Sequence, residues 1–274
     1  MNLWDETLHH DSQKRAALTP DINADVAIIG GGFTGLWSAF YLKTLDPDLR
    51  VVILEAERIG FGASGRNGGW CSALYPTSEG YAQIRPHLVD SIDQIGAFAQ
   101  EHAPEVGFIK SGTITVARNR AQLARIEEST SPYESYLNKA ALDSRIKMNG
   151  ALGGLYTPDC AVIHPGRLVR ALADYVEKLG VVIYENSRAL TFEPNLVKCK
   201  TASVRATSII KATEVFSQNP RSHAPIYSLM VATEPLSEKI WDEIGLAQRE
   251  TFSEALHLVN YGQRTIDNRL AVGG

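Results

Sequence analysis

Residues 25–35 read DVAIIGGGFTG, and this stretch decides the fold. The apolar run 25–29 ends in three glycines, which is typical of a buried parallel strand that enters a tight turn. Residues 34–44 follow with an almost wholly apolar pattern, which predicts a helix packed on a sheet. After a break at 46–48, residues 50–56 (RVVILEA) predict a second buried strand. Together these segments predict one βαβ unit.

Gly30, Gly32 and Gly35 form a GxGxxG pattern between the predicted strand and helix. The first glycine permits the tight turn, the second lets the backbone approach a pyrophosphate, and the third lets helix and strand pack closely. The diphosphate of a dinucleotide would lie on the N–H groups that begin the helix. Glu55 ends the second strand, where a carboxylate can accept hydrogen bonds from ribose hydroxyls and would repel the 2′-phosphate of NADP. This motif leaves FAD and NAD both open.

The loop over residues 60–69 (GFGASGRNGG) favours FAD. Five glycines in ten residues exclude a helix or a regular strand. Its glycines, with the small Ala63 and Ser64, let backbone N–H groups run along the dinucleotide toward an isoalloxazine ring. Ser64, Arg66 and Asn67 are further donors. An NAD site has no comparable need for such a loop directly after this strand.

The remainder predicts an α/β fold class, a Rossmann-like FAD-binding domain with a parallel sheet and an inserted α+β substrate domain with a mixed or antiparallel sheet. Predicted helices cover 79–101, 121–129, 166–179 and 237–244. Predicted strands cover 107–118 (a pair), 181–185, 189–192, 197–202, 208–212, 226–233, 257–261 and 270–272. The predicted domains are an N-terminal arm (1–24), a discontinuous FAD-binding domain (25–75 and 155–220) and a substrate domain (76–154 and 221–274). Residues 268–274 resemble a hairpin strand that runs into a turn, so we expect a substrate domain incomplete at a truncated C-terminus.

Composition argues against several classes of protein. The net charge of −4, the pI near 6.0 and the scattered basic residues argue against a nucleic-acid partner. The charged N-terminal segment is unlike a signal peptide, and no apolar run reaches the length of a membrane span, so we expect a cytoplasmic protein. Cys71, Cys160 and Cys199 form no CxxC pair, and the histidines form no HExxH motif. His9 and His10 lie in a polar leader, and no metal site is predicted.

Four segments resemble the D-amino-acid oxidase-like FAD-dependent oxidoreductases, especially the branch with gamma-glutamylputrescine oxidase and glycine or sarcosine oxidases. They are DVAIIGGGFTG (25–35), VVILEAERIGFGASGRNGG (51–69), IHPGRLVRALADYVEKLGVVIYE (163–185) and IYSLMVATEPL (226–236). The resemblance implies a GR2-type FAD-binding domain and oxidation of the C–N bond of an amine or amino acid. In such a reaction the α-carbon passes a hydride to flavin N5, the imine hydrolyses, and O2 or another acceptor reoxidises the flavin.

The resemblance also implies site residues. The cofactor-binding residues would be Gly30, Gly32, Phe33, Thr34, Gly35, Glu55, Ala56, Gly62, Ala63, Ser64, Arg66, Asn67, Gly68, Gly69, Ala189, Ala212 and Thr213. The substrate-side candidates are Tyr227, Met230, His257 and Tyr261, on strands that face the flavin in relatives. Only alternate residues of a strand face the same side. For each of these four residues, the alternative is therefore a place in the hydrophobic core instead of the substrate site. The run VFSQNP (215–220) departs from the small-aromatic-Thr-Pro run that is usual there.

Three hypotheses follow. The first is an FAD-dependent amine or amino-acid oxidoreductase that takes a small-molecule substrate. The second is a catalytically inactive fragment that binds nucleotide. The third is another GxGxxG protein, either a flavoprotein hydroxylase or an NAD-dependent dehydrogenase, which the glycine-rich loop disfavours.

Overall fold

The computed structural model describes residues 2–8, 14–74, 80–128, 131–216, 224–257 and 260–274. The chain forms two compact units. The first consists of Met1–Asn67 with Pro165–Ile226, and the second of Gly68–His164 with Tyr227–Gly274. These two units are structural, and the predicted division into an FAD-binding domain and a substrate domain remains a prediction.

Within the described residues, the helices are α1 (Leu3–Glu6), α2 (Phe33–Leu45), α3 (Tyr81–His102), α4 (Arg120–Glu128), α5 (Lys139–Asp143), α6 (Pro165–Lys178) and α7 (Glu238–Ile244). The strands are β1 (Ile22–Ile29), β2 (Val51–Leu54), β3 (Trp70–Ser72), β4 (Thr113–Ala117), β5 (Ser135–Asn138), β6 (Gly153–Thr157), β7 (Cys160–Val162), β8 (Val182–Tyr184), β9 (Thr191–Glu193), β10 (Leu196–Lys198), β11 (Ser203–Lys211), β12 (Met230–Ala232), β13 (Thr251–Glu254), β14 (Tyr261–Arg264) and β15 (Leu270–Gly273). None of these helices combines the length and the apolar character needed to cross a membrane.

The first unit is built on a six-stranded sheet in the order β8-β2-β1-β11-β10-β9. Its β8-β2-β1-β11 part is parallel, and β10 and β9 extend it as antiparallel strands. The central strands β1 and β2 are buried almost throughout, because their side chains are covered on both faces, as is usual for parallel sheets. Helices α2 and α6 pack on each other beside this sheet.

The second unit is built on a seven-stranded sheet in the order β12-β15-β14-β13-β4-β6-β5. Only the β13 and β4 pair is parallel, so the sheet is mixed. Its core includes Ile114, Leu142 and Trp241, and the indole N–H of Trp241 donates to the Asn268 carbonyl at 3.1 Å. The strands β3 and β7 form a separate antiparallel pair.

Several predicted boundaries are wrong. The predicted strand 25–29 begins earlier, at Ile22, because β11 pairs with the whole of β1, and β11 itself begins at Ser203 rather than at 208. The predicted strand 189–192 is displaced, since β9 covers Thr191–Glu193 and leaves Ala189 in a loop. Within 107–118 the regular strand is Thr113–Ala117 alone.

The second unit's late strands also differ from prediction. The strand predicted over 226–233 is reduced to Met230–Ala232, because pairing with β15 covers only those residues, and Tyr227 precedes it. His257 lies in a bend, Tyr261 begins β14, and 258–259 lie outside the described residues. His9, His10 and residues 217–220 of the VFSQNP run also lie outside them.

Candidate functional site

A cavity of about 450 Å³ opens in the first unit where β1, β2 and β11 end. The carboxyl ends of parallel strands are the usual place for ligands in such sheets. Its wall comes from the turn after β1, the end of β2, the glycine-rich loop and the segment after β11. The lining residues are Ile29, Gly30, Gly31, Gly32, Phe33, Thr34, Leu54, Glu55, Ala56, Glu57, Gly60, Phe61, Gly62, Ala63, Ser64, Asn67, Arg188, Ala189, Ala212, Thr213, Glu214 and Phe216.

Gly30 lies where the ends of β1, β2 and β11 meet. Its N–H donates to the Leu54 carbonyl at 2.9 Å, and it adopts a φ of +112°. A Cβ at this position would lie 2.3 Å from the Ala212 carbonyl oxygen. Only glycine combines this dihedral angle with such a close approach. The turn therefore places the start of α2 beside the end of β11.

Ser64 links the glycine-rich loop to the start of α2. Its Oγ accepts a hydrogen bond from the Phe33 N–H at 2.9 Å, so a residue distant in sequence acts as a cap for the helix. A Cβ on Gly32 would lie 2.8 Å from that Oγ, so the glycine makes room for the serine. The other N–H groups of the first turn and the positive end of the helix dipole remain suited to a diphosphate.

Glu55 is held by the backbone of the same turn. Its Oε2 accepts from the Gly31 N–H at 2.8 Å, and its Oε1 accepts from the Glu57 N–H at 2.9 Å. Burial raises the pKa of the Glu55 carboxyl above its ordinary value, and these two backbone hydrogen bonds oppose the rise. A carboxylate has about four lone-pair sites, so two remain for hydroxyl donors in the cavity.

The glycine-rich loop contains a 3-10 turn, Ala63–Gly65. The Asn67 side-chain amide closes this turn by donating to the Ala63 carbonyl at 3.2 Å and to the Ser64 carbonyl at 3.1 Å. The guanidinium of Arg66 stacks over the Phe61 ring at 4.5 Å. Asn67 is thus used within the loop, and its predicted role as a donor to the cofactor remains a prediction.

Thr213 carries a polar atom that the described protein leaves unsatisfied. Its hydroxyl oxygen is buried and has no hydrogen-bond partner among the described residues, and the residue is part of the cavity wall. A buried hydroxyl without a partner is unfavourable and is rare in native proteins. With the close-approach glycines and the Glu55 carboxylate, this hydroxyl makes the cavity fit the hydroxyl- and phosphate-rich ADP portion of a dinucleotide.

We expect Thr213→Val to separate cofactor binding from stability. Valine removes the unsatisfied hydroxyl and keeps the shape, so the FAD dissociation constant should rise about 3- to 10-fold. The free energy of unfolding of the apo chain should stay constant or rise by about 1 kcal/mol. Flavin fluorescence titration and urea unfolding measure the two quantities.

The control is Thr113→Val, at a buried threonine whose hydroxyl donates to the Thr251 carbonyl at 3.2 Å. That variant should lose about 1 kcal/mol of stability and keep its FAD affinity. A Thr213→Val chain that loses stability but binds FAD normally would contradict the assignment of Thr213 to the cofactor.

The structure brings most of the predicted cofactor residues together and leaves four away from the cavity wall. The residues on the wall are Gly30, Gly32, Phe33, Thr34, Glu55, Ala56, Gly62, Ala63, Ser64, Asn67, Ala189, Ala212 and Thr213. The four others are Gly35, Arg66, Gly68 and Gly69. Gly35 packs on the turn, where a Cβ would lie 2.1 Å from the Gly30 carbonyl oxygen. Gly68 and Gly69 belong to the second unit.

Sequence reasoning missed a charged pair in the wall of the cavity. Glu57 and Arg188 both line it, and the Arg188 guanidinium donates to Glu57 Oε1 at 2.9 Å. Both residues adjoin predicted ones, Ala56 and Ala189, which is the only signal that could have indicated them. Phe216 was also missed, and its ring lies 3.3 Å from where a Cβ on Gly62 would stand.

The four substrate-side candidates occupy different environments in the second unit. Tyr227 is 84% exposed, and His257 is exposed in its bend. Met230 and Tyr261 both pair in register with Gly273 of the intervening strand β15. The Tyr261 hydroxyl lies 2.8 Å from the Ser228 hydroxyl, and a Cβ on Gly68 would lie 2.5 Å from the Tyr261 ring. Tyr261 is therefore the candidate that packs against Gly68.

The comparison with protein families identifies the chain. A family model described as FAD dependent oxidoreductase (DAO) matches residues 25–274. The chain belongs to this family. The membership confirms the predicted family and the predicted cofactor, FAD.

Similar DAO-family proteins include amine- and amino-acid-converting enzymes. The chain is 29% identical to gamma-glutamylputrescine oxidoreductase of Escherichia coli (strain K12) over 94% of its own length and 66% of that protein. It spans just under two thirds, 64% to 66%, of the three curated relatives to which it is 29% to 30% identical.

Solved structures confirm the predicted α/β fold class. An L-amino acid deaminase from Proteus myxofaciens superposes with a TM-score of 0.75 at 17% identity, over 96% of this chain and 61% of that one. Glycine oxidase from Geobacillus kaustophilus superposes with a TM-score of 0.71 at 21% identity, over 91% and 70%. At such identities the likeness concerns the fold alone.

Proposed function

We propose that this DAO-family chain is an FAD-dependent oxidoreductase that oxidises the C–N bond of an amine or amino acid. The observation that carries the proposal is the cavity in the first unit. There a glycine turn, a buried carboxylate and the unsatisfied Thr213 hydroxyl converge at the carboxyl ends of parallel strands. Family membership supports the redox chemistry, and the gamma-glutamylputrescine relative supports the C–N bond as its target.

In the proposed site, the chain binds and orients the cofactor. The N–H groups in the first turn of α2 would hold the diphosphate, and Glu55 would accept hydrogen bonds from the ribose hydroxyls. Ala189 would lie at the adenine, and Ala212 and Thr213 beneath the dinucleotide. When bound, FAD supplies the hydride acceptor that turns the amine into an imine, which water then hydrolyses.

The substrate side of the proposal is assigned to the second unit. Met230 and Tyr261 are its leading candidates, because they share a register across β15 and Tyr261 packs on Gly68. Candidate substrates are gamma-glutamylputrescine-like amines and glycine- or sarcosine-like amino acids. The proposal includes residues 25–75 and 155–220 as the FAD-binding domain, 76–154 and 221–274 as the substrate domain, O2 or another electron acceptor, and a cytoplasmic location.

The visible spectrum of the purified chain, before and after addition of FAD, is the first test. A yellow chain with bound flavin supports the proposal. A chain that is colourless after incubation with FAD and removal of the unbound cofactor contradicts it. Anaerobic addition of gamma-glutamylputrescine, glycine, sarcosine and D-amino acids should then bleach the flavin band with one of them.

A 2-hydroxy acid belongs in the same panel, because the chain is also 26% identical to an L-2-hydroxyglutarate dehydrogenase from Salmonella houtenae over 58% of its length. Bleaching by the hydroxy acid alone would contradict the C–N assignment. A yellow chain that no compound bleaches would favour a fragment that binds the cofactor without turnover.

A further inference from the structure

The short N-terminal helix α1 contacts the glycine-rich loop at Asn67, the last loop residue that lines the cavity. The indole N–H of Trp4 donates to the Asn67 carbonyl at 2.8 Å, and Trp4 is only 2% exposed. These residues belong to the predicted N-terminal arm, and a fully buried tryptophan anchors them. The hydrogen bond fixes the last residue of the loop that lines the cavity.

The same helix holds the chain just before the loop begins. The Asp5 carboxylate accepts two hydrogen bonds from the Arg58 guanidinium, at 3.0 and 2.9 Å, and lies 3.5 Å from that of Arg170 on α6. Arg58 follows the cavity residues Glu55, Ala56 and Glu57 and precedes Gly60. Trp4 and Asp5 therefore fix the two ends of one loop from adjacent positions.

Further contacts hold α1 itself in place. The Asn2 side chain accepts hydrogen bonds from the N–H groups of Trp4 and Asp5, which caps the helix. The Arg167 guanidinium of α6 donates to the Thr7 carbonyl at 2.7 Å. The helix is thus fixed to α6, a largely buried helix of the first unit, and not to the loop alone.

The hydrogen bonds continue from α1 into the proposed diphosphate site. Trp4 holds the backbone of Asn67, whose side chain closes the 3-10 turn by bonding the carbonyl of Ser64. The Ser64 hydroxyl in turn accepts from the N–H of Phe33 at the start of α2. A displacement of the loop end would therefore reach the cap of the helix that faces the diphosphate.

We propose that Trp4 and Asp5 are positioning residues that hold the glycine-rich loop in its cofactor-binding conformation before FAD arrives. A loop already ordered in the free protein loses less entropy on binding, so preorganisation raises affinity. This inference rests on the proposed function for the identity of the ligand. The ordering of the loop in the apo chain does not depend on it.

The test uses the full chain with Trp4→Phe, which keeps a buried aromatic ring, removes the N–H donor and leaves a small cavity where the larger indole was. Hydrogen exchange of the apo chain should show amides in 62–67 exchanging about 3- to 10-fold faster, while amides of β1 and β11 keep their rates. The FAD dissociation constant, from fluorescence titration, should rise about 3- to 10-fold.

Asp5→Asn tests the other contact and replaces the first variant if Trp4→Phe does not fold. It should raise both quantities about 2- to 5-fold, because the Arg58 pair is partly exposed. Glu6→Gln is the matched control, since it removes one negative charge from an exposed residue of the same helix. It should leave both quantities within about twofold of the wild type.

Equal acceleration of exchange in the loop and in β1 and β11 would show that Trp4 serves general stability, and would overturn the proposal. Unchanged loop exchange with an unchanged FAD dissociation constant would also overturn it. If the wild-type chain binds no FAD, the proposed function fails. The exchange measurement on the apo chain then decides by itself whether α1 positions the loop.

Discussion

Gly30→Ala should destabilise the first unit by about 2–5 kcal/mol and abolish measurable FAD binding. A non-glycine residue at positive φ costs about 1–2 kcal/mol, and forcing an atom into a packed site adds about 1–3 kcal/mol. The added methyl group would lie 2.3 Å from the Ala212 carbonyl oxygen, which belongs to the backbone and moves only if β11 moves. The substitution therefore separates the strand ends that form the cavity.

Hydrogen exchange of the amides in β1, β2 and β11 measures the loss in the first unit, and exchange of the amides in β4 and β6 measures the loss that a control causes in the second unit. Gly150→Ala is the matched control. Gly150 also has a positive φ, +76°, but a Cβ there would meet nothing within 4 Å. The control should lose only about 1 kcal/mol, in the second unit. Equal losses in the two variants would show that the dihedral angle, and not the contact with Ala212, explains the effect.

Glu55→Gln should raise the FAD dissociation constant about 10- to 100-fold. The carboxylate offers charge-assisted hydrogen bonds to the ribose, and an amide offers weaker ones. The amide also presents an NH₂ group to one of the two backbone N–H groups that the carboxylate now satisfies. Part of the lost FAD affinity therefore comes from the disturbed turn. Isothermal titration of the apo chain with FAD measures the total change in affinity.

Glu57→Gln is the control for this prediction. Glu57 lines the same cavity and carries the same charge, but its carboxylate is half exposed and paired with Arg188. Its substitution should change the FAD dissociation constant less than about threefold. If both variants bind FAD equally weakly, the effect comes from the overall charge of the cavity and the ribose assignment of Glu55 is wrong.

The pH dependence of Glu55 provides a second signature. Burial raises the pKa of this carboxyl in the folded chain, so the protonated form favours folding. This contribution to the free energy of unfolding is fully present below the pKa that the carboxyl has in the unfolded chain. That contribution is lost as the pH rises through the folded pKa. FAD affinity should follow the opposite trend, because acidification through the raised pKa protonates the acceptor of the ribose hydroxyls. Both trends should be absent in Glu55→Gln, as pH titrations of affinity and unfolding can verify.

The βαβ unit could be predicted from sequence because its signals are local. The run 25–29, the glycines after it and the helix pattern of 34–44 each lie within one short window, and β1, the turn and α2 follow them closely. The close approach of Gly30 follows from the same motif. The contact that requires it, with Ala212, involves a strand whose boundaries the sequence did not indicate correctly.

Other features depend on tertiary contacts that no local pattern indicates. The strand β6 was not predicted, and its Gly153 and Gly154 are buried in the sheet although glycine weakens a strand. A Cβ on Gly154 would lie 2.8 Å from the Thr115 carbonyl oxygen, so the neighbouring strand requires the glycine there. The capping role of Ser64 and the burial of Trp4 likewise depend on residues far away in sequence.

The pairing of β1 with β11 has a consequence for how the protein is made. Ile22 pairs with Val204 and Ile29 with Lys211, and the residues between them include the whole first segment of the second unit. While the ribosome is still translating that segment, one edge of a strand whose last four residues are apolar lacks its native neighbour. The wall formed by Ala212 and Thr213 does not yet exist. Nascent chains should therefore acquire the cofactor only after residue 216 has emerged, and chaperone protection of β1 would matter most before that moment.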